Sequence, residues 1–364
     1  MVAVLVVTLG VVVALALRGS DSSDEGPASA TSSSPAPADP TTASPSPSAP
    51  APEPVVLAIS VDGLNPQALS LLGPEGAPTF RRLTDEGAFT LNARTSYERT
   101  ITLPNHTGML TGRPVSGPSG TSVTFNDDTG GTLESTHGEY VAGMFDIAHD
   151  HGVGTALFAE KEKFAFLIRS WDRDHGRPDV TGVDDGADKL DVAVIASSDE
   201  LVGDVTDALT SGDERLVFWH IAAPDAAGHA SGWLGPEYLA AVRDADSQIG
   251  EVLDAITAAP GLAARTTVLL TADHGGPRGA DHHDDVSLTA NYRIPFIAWG
   301  AGVRPGGDLY ALSTDRQDPG VARPDYSGPQ PIRNMDLANV ALGVLGLPGI
   351  AGTPASELAA INLD

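Results

Sequence analysis

The sequence contains no cysteine. This absence excludes disulfide bonds, zinc sites built from thiolates and cysteine as a catalytic nucleophile. It also excludes a membrane anchor attached through a lipidated cysteine. A metal site in this chain would therefore rely on carboxylate and imidazole ligands.

Basic residues are scarce. The 364 residues include 21 Lys and Arg against 48 Asp and Glu, which gives a formal net charge of −27. Such a surface repels polyanions, so we expect no binding of nucleic-acid polymers, which requires a basic surface. A small phosphate ester is not excluded, because bound metal ions reverse the local electric field.

Two segments precede the predicted folded domain. Residues 1–17 are an almost unbroken apolar run that, at about 1.5 Å per residue, would span roughly 25 Å as a helix. This length fits a membrane anchor and the apolar centre of a signal peptide equally well. Either alternative places the remainder outside the cytoplasm, secreted or tethered to the outer face of the membrane. Residues 18–54, rich in Ser, Thr, Ala and Pro, predict a disordered linker.

Residues 55–364 predict one α/β domain. Residues 55–61 form a continuous apolar run typical of a buried strand. Similar runs occur at residues 154–158, 215–221, 266–271 and 294–299. Helical patterns lie between or after them at residues 78–86, 140–151, 198–210, 236–258 and 334–347. This alternation predicts a mainly parallel central sheet with helices on both faces.

Chemically active side chains follow three of these strands. Asp62 follows the first strand, Asp225 and His229 follow the run at 215–221, and Asp273 and His274 follow the run at 266–271. Ligands gather at the carboxyl ends of parallel strands, so we expect these side chains to meet. An Asp-Gly pair alone is usually a turn. Together, the five residues predict a metal site built from Asp and His.

A further acidic and histidine-containing cluster covers Asp281-His282-His283-Asp284-Asp285. A solvated charge run is the ordinary interpretation of this pattern. Its closeness in sequence to Asp273 and His274 predicts that one of its two histidines turns back into the site.

Thr102 lies at a predicted helix start. The Leu103-Pro104 pair favours the first turn of a short helix. Thr102 would then sit where free backbone N–H groups and the helix dipole favour a phosphate. The alternative is that Thr102 only caps the helix.

At these motifs the chain resembles the nucleotide pyrophosphatase/phosphodiesterase family of the alkaline phosphatase superfamily, from about residue 55 to residue 347. The resemblance implies an alkaline-phosphatase-like three-layer sandwich. The matching motifs are Ser60-Val61-Asp62-Gly63, Thr102-Leu103-Pro104-Asn105-His106, Asp225-x-x-Gly228-His229, Thr271-Ala272-Asp273-His274-Gly275, and His283 with Asn291-Tyr292-Arg293-Ile294-Pro295-Phe296.

The resemblance implies two divalent metal ions, expected to be Zn²⁺, although carboxylate-rich sites also take manganese or calcium. The first ion would be held by Asp62, Thr102, Asp273 and His274, and the second by Asp225, His229 and His283. His283 fits the family spacing better than His282, which stays open as a substitute. Asn126 resembles the family's asparagine that hydrogen-bonds a phosphoryl oxygen.

The implied reaction is attack of the Thr102 hydroxyl on phosphorus, followed by hydrolysis of a phosphothreonine ester. The expected substrate is a small phosphodiester or nucleotide. Two alternatives remain: a phosphomonoesterase or phosphonate-type hydrolase on the same site, and a surface-tethered binding protein without catalysis. A monoester favours one more cation, for which Lys161 and Lys163 are candidates, but their acidic neighbours favour an ordinary solvated run.

Overall fold

The computed structural model describes residues 52–184, 186–357 and 360–364. The predicted signal peptide or anchor at 1–17 lies outside the described residues, as does the predicted linker except for residues 52–54. In the described part of the chain, no helix combines the length and apolar character needed to cross a bilayer.

Eight strands of the described residues form one sheet, in the order β4-β3-β5-β1-β6-β7-β2-β8. The five strands from β4 to β6 run parallel, whereas β7 is antiparallel to both β6 and β2. The prediction of a mainly parallel sheet is confirmed. The strands are β1 (Val55–Val61), β2 (Ala88–Arg94), β3 (Gly154–Ala159), β4 (Val192–Ile195), β5 (Glu214–Ile221), β6 (Thr266–Thr271), β7 (Arg293–Gly300) and β8 (Gly307–Asp308).

The central strand β1 is buried along its whole length. Burial on both faces explains why its sequence is a continuous apolar run rather than an alternating one. It pairs with β5 on one side and β6 on the other, with Ala58 opposite both Phe218 and Leu269. This pairing places the carboxyl ends of β5, β1 and β6 side by side.

Helices cover the two faces of the sheet. They are α1 (Gln67–Gly76), α2 (Pro78–Glu86), α3 (Thr102–Thr111), α4 (Leu133–His137), α5 (Met144–Asp150), α6 (Ala165–Ser170), α7 (Ser198–Ser211), α8 (Ala223–Ser231), α9 (Pro236–Ala258), α10 (Pro260–Ala263), α11 (Thr289–Tyr292), α12 (Leu309–Leu312), α13 (Leu337–Val344) and α14 (Pro354–Glu357). One group packs around α9 and includes α1, α2 and α7, and the other includes α3, α5 and α13.

The longest helix, α9, illustrates how sequence determines this packing. Pro236 occupies its first turn, where a missing N–H costs nothing. Its buried side chains recur at three- and four-residue intervals, which forms one apolar stripe facing the domain interior. These residues are Tyr238, Val242, Ala245, Asp246, Ile249, Val252, Leu253 and Ile256.

Some predicted boundaries were wrong. The helix expected at 140–151 begins only at Met144, with Asp146 accepting the Gly143 backbone N–H at its start. The helix expected from residue 334 begins with a short 3₁₀ turn at Asn334–Asp336. Strands β2, β4 and β8 were not predicted: β2 mixes apolar and polar residues, and β4 and β8 are only four and two residues long.

Candidate metal centre

Three neighbouring parallel strands, β5, β1 and β6, deliver the residues of the site to one end of the sheet. Asp62 directly follows β1, and Asp273 and His274 follow β6. Asp225 lies in the first turn of α8, just after β5, and His229 lies four residues later on the same helix face. The predicted meeting of these residues is confirmed.

The first ligand group consists of Asp62, Asp273 and His274. All three side chains are fully buried. His274 Nε2 lies 3.4 Å from Asp62 Oδ1 and 3.1 Å from Asp273 Oδ2. These separations match those between ligands of a single tetrahedral metal ion.

The second ligand group consists of Asp225, His229 and His283. Asp225 Oδ1 lies 3.5 Å from His229 Nε2 and 3.6 Å from His283 Nε2, and the two Nε2 atoms are 3.2 Å apart. His274 Nε2 is also 3.8 Å from Asp225 Oδ1, so it lies between the two groups. The His274 and His283 rings stack with their centroids 3.5 Å apart.

The polar atoms that face one another in the site are unsatisfied. Among the described residues, Asp62 Oδ1, Asp225 Oδ1, Asp273 Oδ2 and His274 Nε2 are buried without a hydrogen-bond partner. Burying one such atom is costly, and native proteins rarely leave four together. A carboxylate and imidazole donor set of this kind fits bound divalent cations.

The opposite ends of the ligand side chains are held by directed hydrogen bonds. The rings of His229, His274 and His283 point Nδ1 at the backbone carbonyl oxygens of Asp281, Gly275 and Thr100, respectively. A carbonyl can only accept, so Nδ1 carries a proton in each ring, and Nε2 is the nitrogen that faces the site. Asp273 Oδ1 likewise accepts the backbone N–H groups of Gly63 and His274, which leaves Oδ2 to face the site.

Gly63 follows Asp62 and packs closely against the backbone of Asp225. Its φ of +69° is in the left-handed region, and a Cβ there would lie 3.0 Å from the Asp225 Cα. Its carbonyl accepts hydrogen bonds from Trp233 Nε1 and the Tyr238 hydroxyl. The Asp-Gly pair after β1 is therefore a packing requirement of the site as well as a turn.

The site is strongly negative, and the pKa values reflect this. Burial lowers the pKa of His274, but Asp273, Asp225 and Asp62 outweigh burial and raise it to about 9. His274 Nε2 thus attracts a positive charge, either a proton or a metal ion. Burial and the neighbouring His274 lower the pKa of His283 to about 3, which keeps that ring neutral and able to bind a metal.

Thr102 is the first residue of α3 and is almost completely buried. The N-cap residue is Ile101, so the alternative in which Thr102 only caps the helix is wrong. Asn126 lies at the same helix start, where its Oδ1 accepts the Leu103 backbone N–H at 2.9 Å. The Thr102 carbonyl oxygen is 2.9 Å from Nδ1 of His106, and that ring is 3.8 Å from Asp273 Oδ2.

The sequence left open which of the two adjacent histidines, His282 or His283, is a metal ligand. His283 is buried, and its ring nitrogen contacts the Thr100 carbonyl beside the nucleophile candidate. His282 is exposed and contacts the Asp281 carboxylate instead. The structure therefore places His283 in the second ligand group and leaves His282 outside it.

The interpretation of Lys161 as part of a solvated run is wrong. Its Nζ lies 2.6 Å from Asp62 Oδ2 and 2.6 Å from Asp225 Oδ2, and only 19% of its side chain is exposed. Burial lowers the pKa of Lys161, but the two carboxylates outweigh it and hold the pKa well above its ordinary value. Burial also raises the pKa of Asp62, yet Lys161 and the His220 hydrogen bond keep it well below its ordinary value. The available signal was that Lys161 follows β3 at the same sheet edge.

Sequence reasoning also missed His220. This fully buried histidine is the penultimate residue of β5, and its Nε2 lies 2.9 Å from Asp62 Oδ2. A histidine within the otherwise apolar run at residues 216–221 was the only signal for it.

Comparisons with known proteins identify curated relatives that match parts of the chain. The chain is 31% identical over 127 residues to GPI ethanolamine phosphate transferase 1 of Yarrowia lipolytica, which covers 32% of this chain and 13% of that protein. It is 32% identical over 120 residues to the 2,3-bisphosphoglycerate-independent phosphoglycerate mutase of Chromobacterium violaceum, which covers 30% of this chain and 22% of that protein. The aligned parts span less than a quarter of these curated relatives.

Solved structures share the fold. An inactive variant of murine ectonucleotide pyrophosphatase/phosphodiesterase 5 in complex with AMP superposes with a TM-score of 0.58 and 14% identity, covering 84% of this chain and all of that chain. A second structure of the same murine protein gives a TM-score of 0.57 with 15% identity, covering 81% of this chain and 96% of that one. This likeness confirms the α/β fold expected from the sequence.

The model of the type I phosphodiesterase/nucleotide pyrophosphatase family matches residues 56–131 and 145–304, more than half of the chain. These ranges contain every proposed metal ligand together with Thr102 and Asn126. Sequence, fold and the convergent ligand atoms agree, and the chain belongs to the type I phosphodiesterase/nucleotide pyrophosphatase family.

Proposed function

We propose that this protein is an extracytoplasmic phosphodiesterase or nucleotide pyrophosphatase that depends on two metal ions and uses Thr102 as its nucleophile. The observation that carries the proposal is the convergence of four unsatisfied buried ligand atoms within the described site. Thr102 and Asn126 meet at a helix start linked to those ligands. The family supports action on a phosphoester.

Bound metal ions would lower the pKa of the Thr102 hydroxyl and stabilise negative charge on the attacking and leaving oxygens. Asp62, Asp273, His274 and Thr102 would hold the first ion, and Asp225, His229 and His283 the second. Zinc suits the two-histidine, one-carboxylate second group best.

The chain's own residues perform the reaction in two steps. The Thr102 hydroxyl releases its proton to solvent and Oγ1 attacks phosphorus, forming an ester bond while the bond to the first leaving oxygen breaks and that oxygen takes up a proton from solvent. Water then attacks the phosphothreonine from the opposite face, which releases the phosphate product and restores the hydroxyl. Asn126 holds a non-bridging oxygen during both steps through its side-chain amide.

A second candidate function is a phosphomonoesterase or phosphonate-type hydrolase on the same residues. The observation that favours it is the position of Lys161, whose ammonium group lies between Asp62 and Asp225. This added positive charge suits a dianionic phosphoryl group better than the single charge of a diester.

The location of the protein follows from the apolar segment at 1–17, which we propose directs or anchors the domain outside the cytoplasm. The substrate would then be a small extracytoplasmic phosphodiester or nucleotide. Fractionation of cells producing the protein, with protease added from outside, tests this part independently.

The activity is tested with purified protein on bis-p-nitrophenyl phosphate and p-nitrophenyl phosphate, with metal content measured by mass spectrometry. We expect two bound metal ions, preference for the diester and loss of activity with a chelator. Preference for the monoester would favour the second candidate function. Bound metal without turnover of either ester would contradict the hydrolase proposal and favour a binding role.

A further inference from the structure

We propose that His220 is a positioning residue that turns the Asp62 carboxylate towards the first metal ion, an inference that rests on the proposed metal centre. His220 lies on β5 directly beside Ser60 of β1, two residues before Asp62. It contributes no ligand atom to either group, and its side chain is fully buried. A buried histidine in this position requires a reason other than solubility or simple packing.

The hydrogen bonds of the His220 ring define which of its nitrogens donates and which accepts. The Glu160 backbone N–H points at His220 Nδ1 from 3.4 Å, so Nδ1 accepts. The other ring nitrogen, Nε2, lies 2.9 Å from Asp62 Oδ2 and must donate to it. His220 is thus oriented with Nε2 as the donor to Asp62 and Nδ1 as the acceptor.

Aromatic neighbours hold the ring in this orientation. The Phe164 ring lies 4.4 Å from the His220 ring, measured between centroids, and the His106 ring lies 5.0 Å away. Rotating the imidazole would break both hydrogen bonds inside this packed cluster, where interior gaps are small. The donor is therefore fixed before any ligand binds.

The consequence for Asp62 is that its two oxygens have different roles. Oδ2 receives His220 Nε2 and Lys161 Nζ, whereas Oδ1 lies 3.4 Å from His274 Nε2 and has no partner among the described residues. Lys161 is shared equally with Asp225, at 2.6 Å from each carboxylate. His220 is the donor that belongs to Asp62 alone.

This arrangement predicts a selective effect on one metal ion. Hydrogen bonds to metal ligands typically change metal affinity by about 10–100-fold. His220 contacts Asp62 of the first group, while Asp225 of the second group accepts Lys161 at its Oδ2. Loss of His220 should weaken binding of the first ion and leave binding of the second ion unchanged.

The test measures zinc affinity by competition with chelators in the purified protein and in His220→Phe and His220→Gln variants. Phenylalanine keeps the ring volume but removes the donor, whereas glutamine offers an amide N–H near the position of Nε2. We expect His220→Phe to lower the affinity of one of the two ions by about 10–100-fold. Glutamine should recover a large part of this loss, which a merely structural role would not explain.

Two further variants make the result specific. His282→Phe is the matched control, because this exposed histidine contacts the Asp281 carboxylate and lies outside both ligand groups. This variant should bind both ions as the unmodified protein does. His229→Ala removes one ligand of the second group, so the remaining tight ion reports on the first group. Adding His220→Phe to the His229→Ala variant should lower the affinity for that ion by the same factor.

Thermal unfolding of the chelator-treated proteins shows whether each variant folds. Two ions bound with unchanged affinity in folded His220→Phe would overturn the role of His220 and leave the metal centre standing. Equal loss of both ions, without recovery by glutamine, would overturn it as well. An unmodified protein that binds no tight metal would instead overturn the proposed function, and this inference with it.

Discussion

Asn126 accepts a hydrogen bond from the backbone N–H of Leu103, with 2.9 Å between Oδ1 and the nitrogen. Because Oδ1 is the accepting atom, the amide NH₂ is the end of Asn126 that remains for a phosphoryl oxygen. The contact ties a residue of the loop after Ser122 to the start of the helix that begins with Thr102. The candidate nucleophile and the candidate oxyanion donor are thereby held in one fixed relationship.

Replacing Asn126 should impair the chemical step. We expect Asn126→Ala to lower kcat by about 10²–10³-fold, the usual effect of removing one oxyanion donor, with a smaller change in KM. Metal content should stay at the unmodified level, since Asn126 lies in neither ligand group. Steady-state kinetics on the preferred nitrophenyl ester measure this effect. The neighbouring exposed residue gives a control, Asp127→Ala, and an equal loss there would contradict the specific role of Asn126.

Replacing Thr102 separates the nucleophile from the metal site. Thr102→Ala should reduce turnover by on the order of 10⁴-fold or more, because no other hydroxyl replaces the nucleophile. Thr102→Ser keeps a hydroxyl and should retain measurable activity and the same pathway. Mass spectrometry of acid-quenched reactions should detect the phosphorylated residue only in the proteins with a hydroxyl. Full activity of the alanine variant would disprove the mechanism.

Lys161 should stabilise the metal-free protein more than the metal-loaded one. In Lys161→Met the carboxylates of Asp62 and Asp225 lose their shared cation, and breaking such a partly exposed pair costs about 2–3 kcal/mol after allowance for solvent screening. Bound metal ions would offset this repulsion. We therefore expect a larger drop in Tm with chelator than with zinc, measured by calorimetry.

Lys163→Met is the matched control for this experiment. Lys163 is only half-buried and lies beyond ion-pair distance of the two carboxylates, so its removal should leave both Tm values nearly unchanged. An equal drop in Tm for Lys161→Met with and without zinc would mean that the metals do not bind between these carboxylates.

The pKa of His274 leads to a prediction about pH. The pKa is raised from 6.5 to about 9, so below pH 9 Nε2 carries a proton that a metal ion must displace. Zinc affinity should rise by about tenfold per pH unit up to pH 9 and then level off. Calorimetry in buffers of different ionisation enthalpy should show release of one proton per ion of the first group at pH 7.

The same titration affects the stability of chelator-treated protein with a defined sign. Because the folded-state pKa is raised, the stabilisation from protonated His274 is complete below pH 6.5 and is lost as the pH rises to about 9. Unfolding in urea across this range should show the loss, and His274→Gln should remove it. A pH-independent difference between the two proteins would contradict the assignment.

The sequence predicted the parts of the fold whose residues are buried on both faces. Strands such as β1 are continuous apolar runs, and their carboxyl ends indicated where Asp62, Asp225 and Asp273 would meet. Strand β2 escaped prediction because it alternates buried and half-buried residues and ends in the buried Arg94. Its place in the sheet depends on antiparallel pairing with β7, which is a long-range contact.

The sequence predicted the metal ligands of the candidate site but not the side chains that surround them. Motif spacing identified the residues with lone pairs, but the residues that orient them carry no motif. Lys161 was misjudged because its sequence neighbours are acidic, whereas its contacts, Asp62 and Asp225, are 99 and 64 positions away. The role of His220 could not be predicted for the same reason, since its partner Asp62 is 158 positions away in the sequence.

The uneven exposure of the two ligand groups has a kinetic consequence. His229, in the second group, exposes 48% of its side chain, whereas the ligands of the first group are completely enclosed. An ion in the second group would exchange rapidly with solvent, and one in the first would be released only after local opening. Brief treatment with a chelator would then yield a singly loaded protein, into which a different metal can be placed at the outer position alone.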